Sequence, residues 1–427
     1  MQSRRSFIRS TAALLTASKA FASDAAWQRT WNAAVAVLAK NVRPLPDFNS
    51  PLLWEGSTYQ GVWQECGPHE SLVYAMLAPA LPDVDRANAK QAARNNQMAF
   101  FALQRGDGQL PASIKTTGLG FGQIQMVVPI AATAWELAHV SGDGELLIAA
   151  YKACSRWDAW FRQYRDTRKT GLVEGFCTYD TGMDNSPRWA GIPNRCPDSD
   201  ARKCPAIPSM PRLCPDLSAT VYGGRIALAN MAEALGKRDE AARWKADAEN
   251  IRRLIIEKLY CREDASFYDL DAQNKFVPVR SDVNTRVLGE HVLELSDSRD
   301  EDILDALWTR QLHNPEAFWA PYPFPSSALN DPTFVRPIPR NSWGGASQAL
   351  TALRAPRWMI HYGKEAELKY LMRQWCEAII RDGDFRQQLD PLTGNFTQPD
   401  PGSYSPAALV FLHFARRLGR LSPYDRD

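Results

Sequence analysis

Ten consecutive residues, Asp180–Trp189, combine two carboxylates with an amide, an arginine and a tryptophan. Gly182 and Pro187 favour a turn, so this segment is predicted to be a loop rather than a regular helix or strand. Of its two carboxylates, Asp180 and Asp184, one could protonate a leaving oxygen while polar neighbours bind hydroxyl groups, which is acid chemistry suited to a sugar. A solvated Asp/Asn turn is the alternative that composition alone leaves open.

The same ten residues resemble the signature loop of the bacterial mannosylglycerate hydrolase-like enzymes, which group with the processing α-glucosidases of glycoside hydrolase family 63 and the family 37 trehalases. The usual motif there is Glu-Ser/Thr-Gly-x-Asp-Asn-Ser-Pro, and its second acid is the general acid. The resemblance therefore implies that Asp184 is the general acid. Asp180 would be the neighbouring carboxylate that raises the pKa of Asp184, and Arg188 would point at the substrate or at Asp180.

A segment near the C-terminus departs from the family pattern. Residues Phe385–Gly394 resemble the family's Phe-x-Glu-x-Tyr-Asp-Pro-x-Thr-Gly, in which Glu is the general base of an inverting reaction. Here that position holds Gln387, whose amide cannot take a proton from water at neutral pH. Either another carboxylate is the base, or water is only positioned, or the chain does not hydrolyse glycosides. The alternative bases considered are Glu65, Glu174, Asp180, Asp382 and Asp384.

Other segments resemble the family pattern where it contacts the sugar. The family's early Trp-Asp…Phe-His segment has a partial counterpart in residues 63–70, and Gln125 matches a family glutamine that precedes a helix. Residues 340–346 lie where the family has Tyr-Trp-Arg-Gly-Pro, although Gly344 replaces the Arg. The residues expected to bind or stack the sugar are Trp63, Glu65, Gln125, Asn185, Arg188, Trp189, Trp343 and Tyr404. For Glu65 and Gln125 a polar role at a helix start is the alternative, and for Tyr404 simple packing.

Apolar residues recur at helical spacing in twelve segments, whereas strand-like alternation is scarce. Paired helices without a sheet indicate an all-α fold, an (α/α)6 barrel or six-hairpin toroid, which the family resemblance also implies. A small β-hairpin is expected from residues 267–270 and 275–279. The predicted helices are 26–39, 70–81, 85–103, 127–139, 145–164, 219–235, 239–259, 284–293, 299–311, 346–362, 365–381 and 406–418.

Five long loops separate these helices, at residues 42–67, 107–125, 171–217, 319–342 and 382–404. Loops of this length in a compact domain are usually functional. The segment Asp180–Trp189, called the acid loop below, lies in the third of them. We therefore expect them to gather at the opening of the toroid and to form its active site.

The N-terminus has the features of a twin-arginine export signal: Arg4-Arg5, then the apolar run Ala12–Leu15, then Ala20-Phe21-Ala22. We predict that residues 1–22 are removed and that residues 23–427 form one catalytic domain. The twin-arginine translocase would deliver it to the periplasm or outside the cell. No other apolar run approaches the ~18 residues of a membrane span.

The charge balance of the chain argues against two classes of partner. Fifty basic residues balance 48 acidic ones, which argues against nucleic acid or an anionic membrane as the main partner.

Four of the eight cysteines, Cys177, Cys196, Cys204 and Cys214, lie close together and would form up to two disulfides in an oxidising compartment. A zinc site is the rival interpretation, although no histidine lies among them. The remaining four are expected to be buried thiols.

The leading interpretation is an exported, inverting glycoside hydrolase acting on a terminal α-linked glucoside, mannoside or related oligosaccharide, with no metal or organic cofactor. One alternative is a sugar or uronate lyase or epimerase on the same fold, which would use His69, Tyr404 and Arg188. Another is a sugar-binding relative that has lost its base at Gln387.

Overall fold

The computed structural model describes residues 25–398 and 402–419, and the predicted export signal lies outside this part of the chain. Twelve α-helices occur in the described residues. They are α1 Ala25–Asn41, α2 Gly67–Leu77, α3 Asp83–Ala102, α4 Ile130–Ser141, α5 Gly144–Tyr164, α6 Pro215–Ala234, α7 Arg238–Leu259, α8 Val283–Gly289, α9 Ser298–Leu307, α10 Ala349–Met359, α11 Glu365–Asp382 and α12 Ser405–Arg417. Each overlaps one predicted helix. None is long and apolar enough to cross a membrane.

The even-numbered helices form a closed inner ring. Each contacts the next, and α12 contacts α2. Their residues are buried on nearly every side, as in α8, where all seven are buried, because neighbours cover them from within and without. The odd-numbered helices lie outside and are amphipathic: α7 buries Ala241, Ala248, Ile251 and Ile255 on one side. The predicted (α/α)6 barrel is confirmed.

Short antiparallel strands lie in the loops at the ends of the helices. They are β1 Val42–Leu45, β2 Phe48–Leu53, β3 Gly61–Trp63, β4 Ser113–Lys115, β5 Gly118–Gly120, β6 Glu174–Gly175, β7 Arg212–Leu213, β8 Tyr260–Cys261, β9 Ser266–Phe267, β10 Asp269–Leu270, β11 Phe276–Val277, β12 Ser347–Gln348 and β13 Gln388–Leu389. The predicted hairpin is present as β10 and β11. Residues 42–67, predicted as one long loop, instead contain β1, β2 and β3.

Two of these sheets position residues of the site. Strand β13 pairs with β12, and the Gln387 carbonyl accepts the N–H of Ala349 at 2.9 Å, so the Gln387 segment is fixed to the start of α10. Strand β3 pairs with β4 in the register Trp63 opposite Ser113, and Gly61 lies opposite Lys115. The sheets therefore hold loops from both halves of the chain over one end of the helical ring.

Candidate active site

A cavity enclosing about 690 Å³, its open mouth included, lies among these loops. Its wall is mainly polar and aromatic, and comes from segments far apart in sequence. The lining residues are Glu55, Tyr59, Trp63, Glu65, Ser113, Lys115, Gln123, Gln125, Tyr179, Gly182, Asp184, Arg195, Asn341, Trp343, Leu350 and Gln387. Five sequence-predicted sugar-site residues are thus brought together with Gln387: Trp63, Glu65, Gln125, Asp184 and Trp343.

Asp184 is half-buried in the cavity wall. Its Oδ2 accepts a hydrogen bond from the Asn341 amide at 2.7 Å, and its carbonyl accepts the N–H of Trp343 at 3.0 Å. Burial raises the pKa of Asp184 to about 6, against the hydrogen bond from Asn341, which favours the ionised form and lowers it. A carboxyl group with this pKa can carry a proton near neutral pH, as a general acid must.

Gln387 is buried beside Asn341 and is held by three side chains. Its Oε1 accepts hydrogen bonds from the Tyr59 hydroxyl at 2.8 Å and from Gln398 at 2.9 Å, while its Nε2 donates to Asn341 Oδ1 at 2.9 Å. Asn341 therefore links Asp184 to Gln387 through a single side chain. One N–H of Gln387 has no partner among the described residues and can donate to a bound molecule.

Glu65 lies against the acid loop. Its Oε2 accepts a hydrogen bond from Gln125 at 3.1 Å. Burial and the nearby charge of Asp184 raise the pKa of Glu65 to about 7. Gly182 adopts a φ of 61° there, and a Cβ on it would collide with the Glu65 carboxylate, so both backbone conformation and space require glycine.

Glu55 is a cavity carboxylate that the sequence analysis missed. Its Oε1 accepts a hydrogen bond from the Tyr404 hydroxyl at 2.9 Å. Burial raises the pKa of Glu55 well above its usual range, as do the charges of Glu70 and Glu65. Three carboxyl groups therefore line the cavity, and all three have a raised pKa.

Two tryptophans, Trp63 and Trp343, border the cavity. The rings of Tyr59 and Trp63 meet edge to face at 5.6 Å, which leaves Trp63 half-buried. Trp343 is buried, and the Arg286 guanidinium lies 5.0 Å from its ring centroid. Flat ring surfaces of this kind suit the C–H faces of a sugar.

Lys115 and Arg195 contribute positive charge to the cavity. Neither is paired with a carboxylate within the described ranges, 25–398 and 402–419. Burial and the charge of Arg195 together lower the pKa of Lys115, so the two cations lie near each other. Arg195 also lies 5.9 Å from the Tyr179 ring, whose pKa is raised by burial and by the charge of Asp184. Tyr179 therefore lies near both Arg195 and Asp184 in the cavity wall.

The prediction that Asp180 joins Asp184 in catalysis is wrong, because both of its oxygens are occupied elsewhere. Asp180 is fully buried in an ion pair with Arg165 and also accepts the N–H groups of Ile124, Phe176 and Cys177. Its charge is not a cause of the raised pKa of Asp184. Asp180 anchors the loop instead of reacting.

Arg188 does not line the cavity and does not pair with Asp180. Its guanidinium is 2% exposed and binds Asp216 at 2.7 and 2.8 Å and Asp269 at 2.6 and 2.8 Å. Trp189 is also buried, and its indole N–H donates to Thr181 at 2.9 Å. Both residues are buried beneath the acid loop and stabilise its shape. Neither lines the cavity, which corrects the prediction that they contact the sugar.

Asn185 and Tyr404 also lie outside the cavity wall. Asn185 is exposed, and its amide donates to the Asn341 carbonyl at 2.8 Å, so it supports the neighbour of Asp184. Tyr404 lies behind Glu55 and orients it. Three alternative bases have structural partners instead: Glu174 accepts hydrogen bonds from Thr167 and Arg168, Asp382 pairs with Arg386, and Asp384 accepts the N–H groups of Phe385 and Gly402.

Among residues 25–398 and 402–419, three groups of cysteine and acidic residues have ligand atoms within 4.8 Å of one another. In two of them, around Asp180 and around Asp216 with Asp269, a guanidinium already occupies the place of a cation. In the third, burial raises the pKa of Glu55, Glu65 and the Cys66 thiol, which favours protonated groups over metal ligands. The described donor sets therefore do not favour a metal.

The sequence profile of the mannosylglycerate hydrolase MGH1-like glycoside hydrolase domain matches residues 85–406. The chain belongs to this family. Its position in the fold agrees, because the match runs from α3 into the start of α12 and includes Asp184 and Gln387. A comparison with curated proteins finds no match.

Solved structures support the six-hairpin glycosidase fold. Mannosylglycerate hydrolase of family 63 from Thermus thermophilus, in complex with Tris and D-glycerate, has 19% identity and a TM-score of 0.67, covering 91% of this chain and 100% of that one. Neutral trehalase Nth1 from Saccharomyces cerevisiae has 14% identity and a TM-score of 0.61, covering 87% and 75%. A bacterial glucoamylase with acarbose has 12% identity and a TM-score of 0.56, covering 93% and 56%.

Replacing Asn341 by Ala tests the electrostatics of the acid. The substitution removes a hydrogen bond to the ionised carboxylate, so the pKa of Asp184 should rise above its value of about 6. Carbon-13 NMR titration of the Asp184 carboxyl group would measure it. Gln398→Ala is the control, because Gln398 contacts Gln387 but not Asp184. An unchanged or lower pKa in Asn341→Ala would mean that this contact does not stabilise the anion.

Proposed function

We propose that this member of the glycoside hydrolase family releases a terminal α-linked glucose or mannose, with inversion, from a leaving group that carries an anionic substituent. The observation that carries the proposal is Asp184 itself: a half-buried carboxyl group, with a pKa of about 6, in the same cavity as the Lys115 and Arg195 cations. The cavity thus offers a bound glycoside one proton donor and two positive charges.

In this mechanism Asp184 protonates the glycosidic oxygen as the bond to the anomeric carbon breaks. Asp184 must be protonated to act, so its contribution to kcat/KM is present below pH 6 and falls as pH rises through that value. Trp63 and Trp343 provide ring surfaces for the sugar. Gln125 and Glu65 form a polar pair that can accept and donate hydrogen bonds to its hydroxyls.

Glu55 is proposed as the base that takes the place of the family's glutamate. Burial raises the pKa of Tyr59, and Glu55 is the carboxylate whose charge adds most to that rise, while the Tyr59 hydroxyl donates to Gln387. Gln387 would hold the attacking water through its remaining side-chain N–H while the ionised form of Glu55 accepts the proton. Because burial raises the pKa of Glu55, this ionised form becomes more populated as pH rises. Inversion requires that water attack the face opposite Asp184, with the two carboxyls about 6.5–9.5 Å apart.

The anionic leaving group is supported by the lack of a carboxylate partner for Lys115 and Arg195 in the described chain. A carboxylate on the leaving group would bind between these two cations and offset their mutual repulsion. The related enzyme from Thermus thermophilus, a mannosylglycerate hydrolase solved with D-glycerate, acts on a glycoside of this chemical type. A small hydroxy acid linked through its hydroxyl group is therefore the proposed leaving group.

Export through the twin-arginine translocase to the periplasm or the medium remains part of the proposal. It is supported by the Arg4-Arg5 pair, the apolar run and the Ala20-Phe21-Ala22 segment of the sequence. The second candidate function is sugar binding without hydrolysis, favoured by the amide of Gln387 at the position of the family's base.

Asp184→Asn should lower kcat/KM for an unactivated glycoside by about 10²–10⁴-fold, because the leaving oxygen must then depart unprotonated. Activity on a glycosyl fluoride, whose leaving group needs no proton, should survive. Steady-state kinetics on both substrates would measure this. Asp198→Asn, at a largely exposed aspartate in the same loop region, is the control. Full activity of Asp184→Asn on the unactivated glycoside would sink the assignment.

Glu55→Gln tests the proposed base. We expect at least about a 100-fold loss of kcat with binding retained, and recovery in Glu55→Gln/Gln387→Glu, which restores a carboxylate at the family position. Single-turnover hydrolysis and substrate titration would separate the two quantities. Tyr404→Phe is the control, because it removes only the hydrogen bond to Glu55. Full activity of Glu55→Gln would contradict the base assignment. A wild-type protein that binds substrate without hydrolysing it, together with a large gain in Gln387→Glu, would instead favour the binding protein.

Lys115→Met and Arg195→Met test the leaving group. Each should raise KM about tenfold or more for a glycoside of a hydroxy acid, because a charged hydrogen bond worth about 1.5–3 kcal/mol is lost, and leave a methyl glycoside unaffected. Lys258→Met, at an exposed site on α7, is the matched control. Equal effects on charged and neutral substrates would contradict the assignment.

A further inference from the structure

Two buried cysteines flank the acid loop. Cys177 and Cys196 are 0% and 3% exposed and pack together with Phe176. Their sulfurs lie within 4.8 Å of each other and of an Asp180 oxygen, and the structure records both as thiols.

The backbone holds these two cysteines side by side. The N–H of Thr178 donates to the Pro193 carbonyl at 3.0 Å, and the N–H of Tyr179 donates to the Asn194 carbonyl at 3.1 Å. Backbone hydrogen bonds therefore connect the two segments that carry the cysteines, without any disulfide. Small side-chain rotations within this pairing can bring the two sulfurs into bonding range.

The surroundings favour a covalent bond over a bound metal ion. The Arg165 guanidinium lies 3.7 Å from the Cys196 sulfur and also binds both oxygens of Asp180. A metal ion at this position would be repelled by the guanidinium and would have to displace the ion pair. A neutral disulfide needs neither change.

We propose that Cys177 and Cys196 form a disulfide that closes the acid loop into a covalent ring. The two thiols lose two protons and two electrons as the S–S bond forms, and the acceptor is another disulfide, of a protein thiol oxidant or of oxidised glutathione, which is reduced to two thiols. The ring contains Asp184 and the cavity cation Arg195. It does not rest on the proposed reaction, since it follows from the packing of the two sulfurs.

The geometry separates this pair from the other two cysteines of the region. Cys204 is half-buried at the margin of the same cluster, and its sulfur contacts the Pro205 carbonyl at 3.7 Å. Cys214 lies away from the cluster, where its sulfur contacts the Arg212 carbonyl at 3.5 Å and groups with Asp216 and Asp269. One disulfide, rather than two, is therefore expected.

The ring would stabilise the loop that carries the acid. Closing a loop of about 20 residues removes conformations from the unfolded chain, and the benefit grows with loop length. Because both sulfurs are buried, the bond would form as the loop closes during folding and would then be shielded from reductants.

Peptide mapping under non-reducing conditions tests the connectivity directly. The protein, exported or refolded with a glutathione redox pair, is alkylated in denaturant, digested and analysed by mass spectrometry. We expect a cross-linked peptide joining Cys177 to Cys196 and six alkylated cysteines out of eight. Eight alkylated cysteines, or a bridge through Cys204 or Cys214, would overturn the proposal.

Stability measurements give a second readout that does not depend on activity. Cys177→Ser/Cys196→Ser should melt roughly 5 °C below the oxidised wild type. Adding reductant in denaturant before refolding should lower the melting temperature of the wild type but leave that of the double variant unchanged. Cys261→Ser, at a half-buried thiol beyond α7, is the control and should keep the reductant response. Equal melting temperatures for oxidised, reduced and double-serine proteins would also overturn it.

Discussion

The ion pair between Arg165 and Asp180 is the contact on which the site depends most. Both groups are fully buried, and Asp180 also accepts three backbone N–H groups from two separate loops. Its carbonyl accepts the N–H of Met126 at 2.9 Å, next to Gln125. One carboxylate therefore ties the end of α5, the Gln125 loop and the beginning of the acid loop together. Removing one member of such a pair leaves a buried charge without compensation, at a cost of about 3–5 kcal/mol.

Arg188 does the same at the other end of the acid loop. It joins Asp216 at the start of α6 to Asp269 in β10, and Arg188 lowers the pKa of Asp216 against the effect of burial. Arg286 on α8 completes the contact with Asp216 and with the Thr181 carbonyl. Between these two buried networks the loop has little freedom, so Asp184 is held at the cavity although its own side chain makes only one hydrogen bond to the described part of the protein, from Asn341.

Residue patterns predicted the helices well because a helix in this barrel is defined locally, by apolar spacing over its own length. All twelve predicted helices and the hairpin of β10 and β11 are present. The ten-residue motif also pointed to Asp184, and the structure places this residue in the cavity wall.

Long-range partners were the part that the sequence could not supply. Asp180 and Arg188 were assigned to chemistry because they share the acid loop with Asp184, but their charges are matched by Arg165 and by Asp269, 81 positions away. Glu55 and Lys115 belong to no resembled motif, and Asn341 lies in a resembled segment without matching a family residue there. Only folding brings all three to the cavity. A carboxylate's role is decided by whether its oxygens are already paired, which a motif does not record.

Burial raises the pKa values of Glu55, Glu65 and Asp184, so the cavity favours protonated carboxyl groups. The proposed inverting hydrolysis requires that one of these groups donates a proton while another, in its ionised form, accepts one. Proton NMR of the reaction with an α-glucoside or α-mannoside of a hydroxy acid, recorded before the released sugar mutarotates, tests it. The account predicts that the β-anomer appears first. Initial release of the α-anomer, or no release while the substrate is bound, would contradict it.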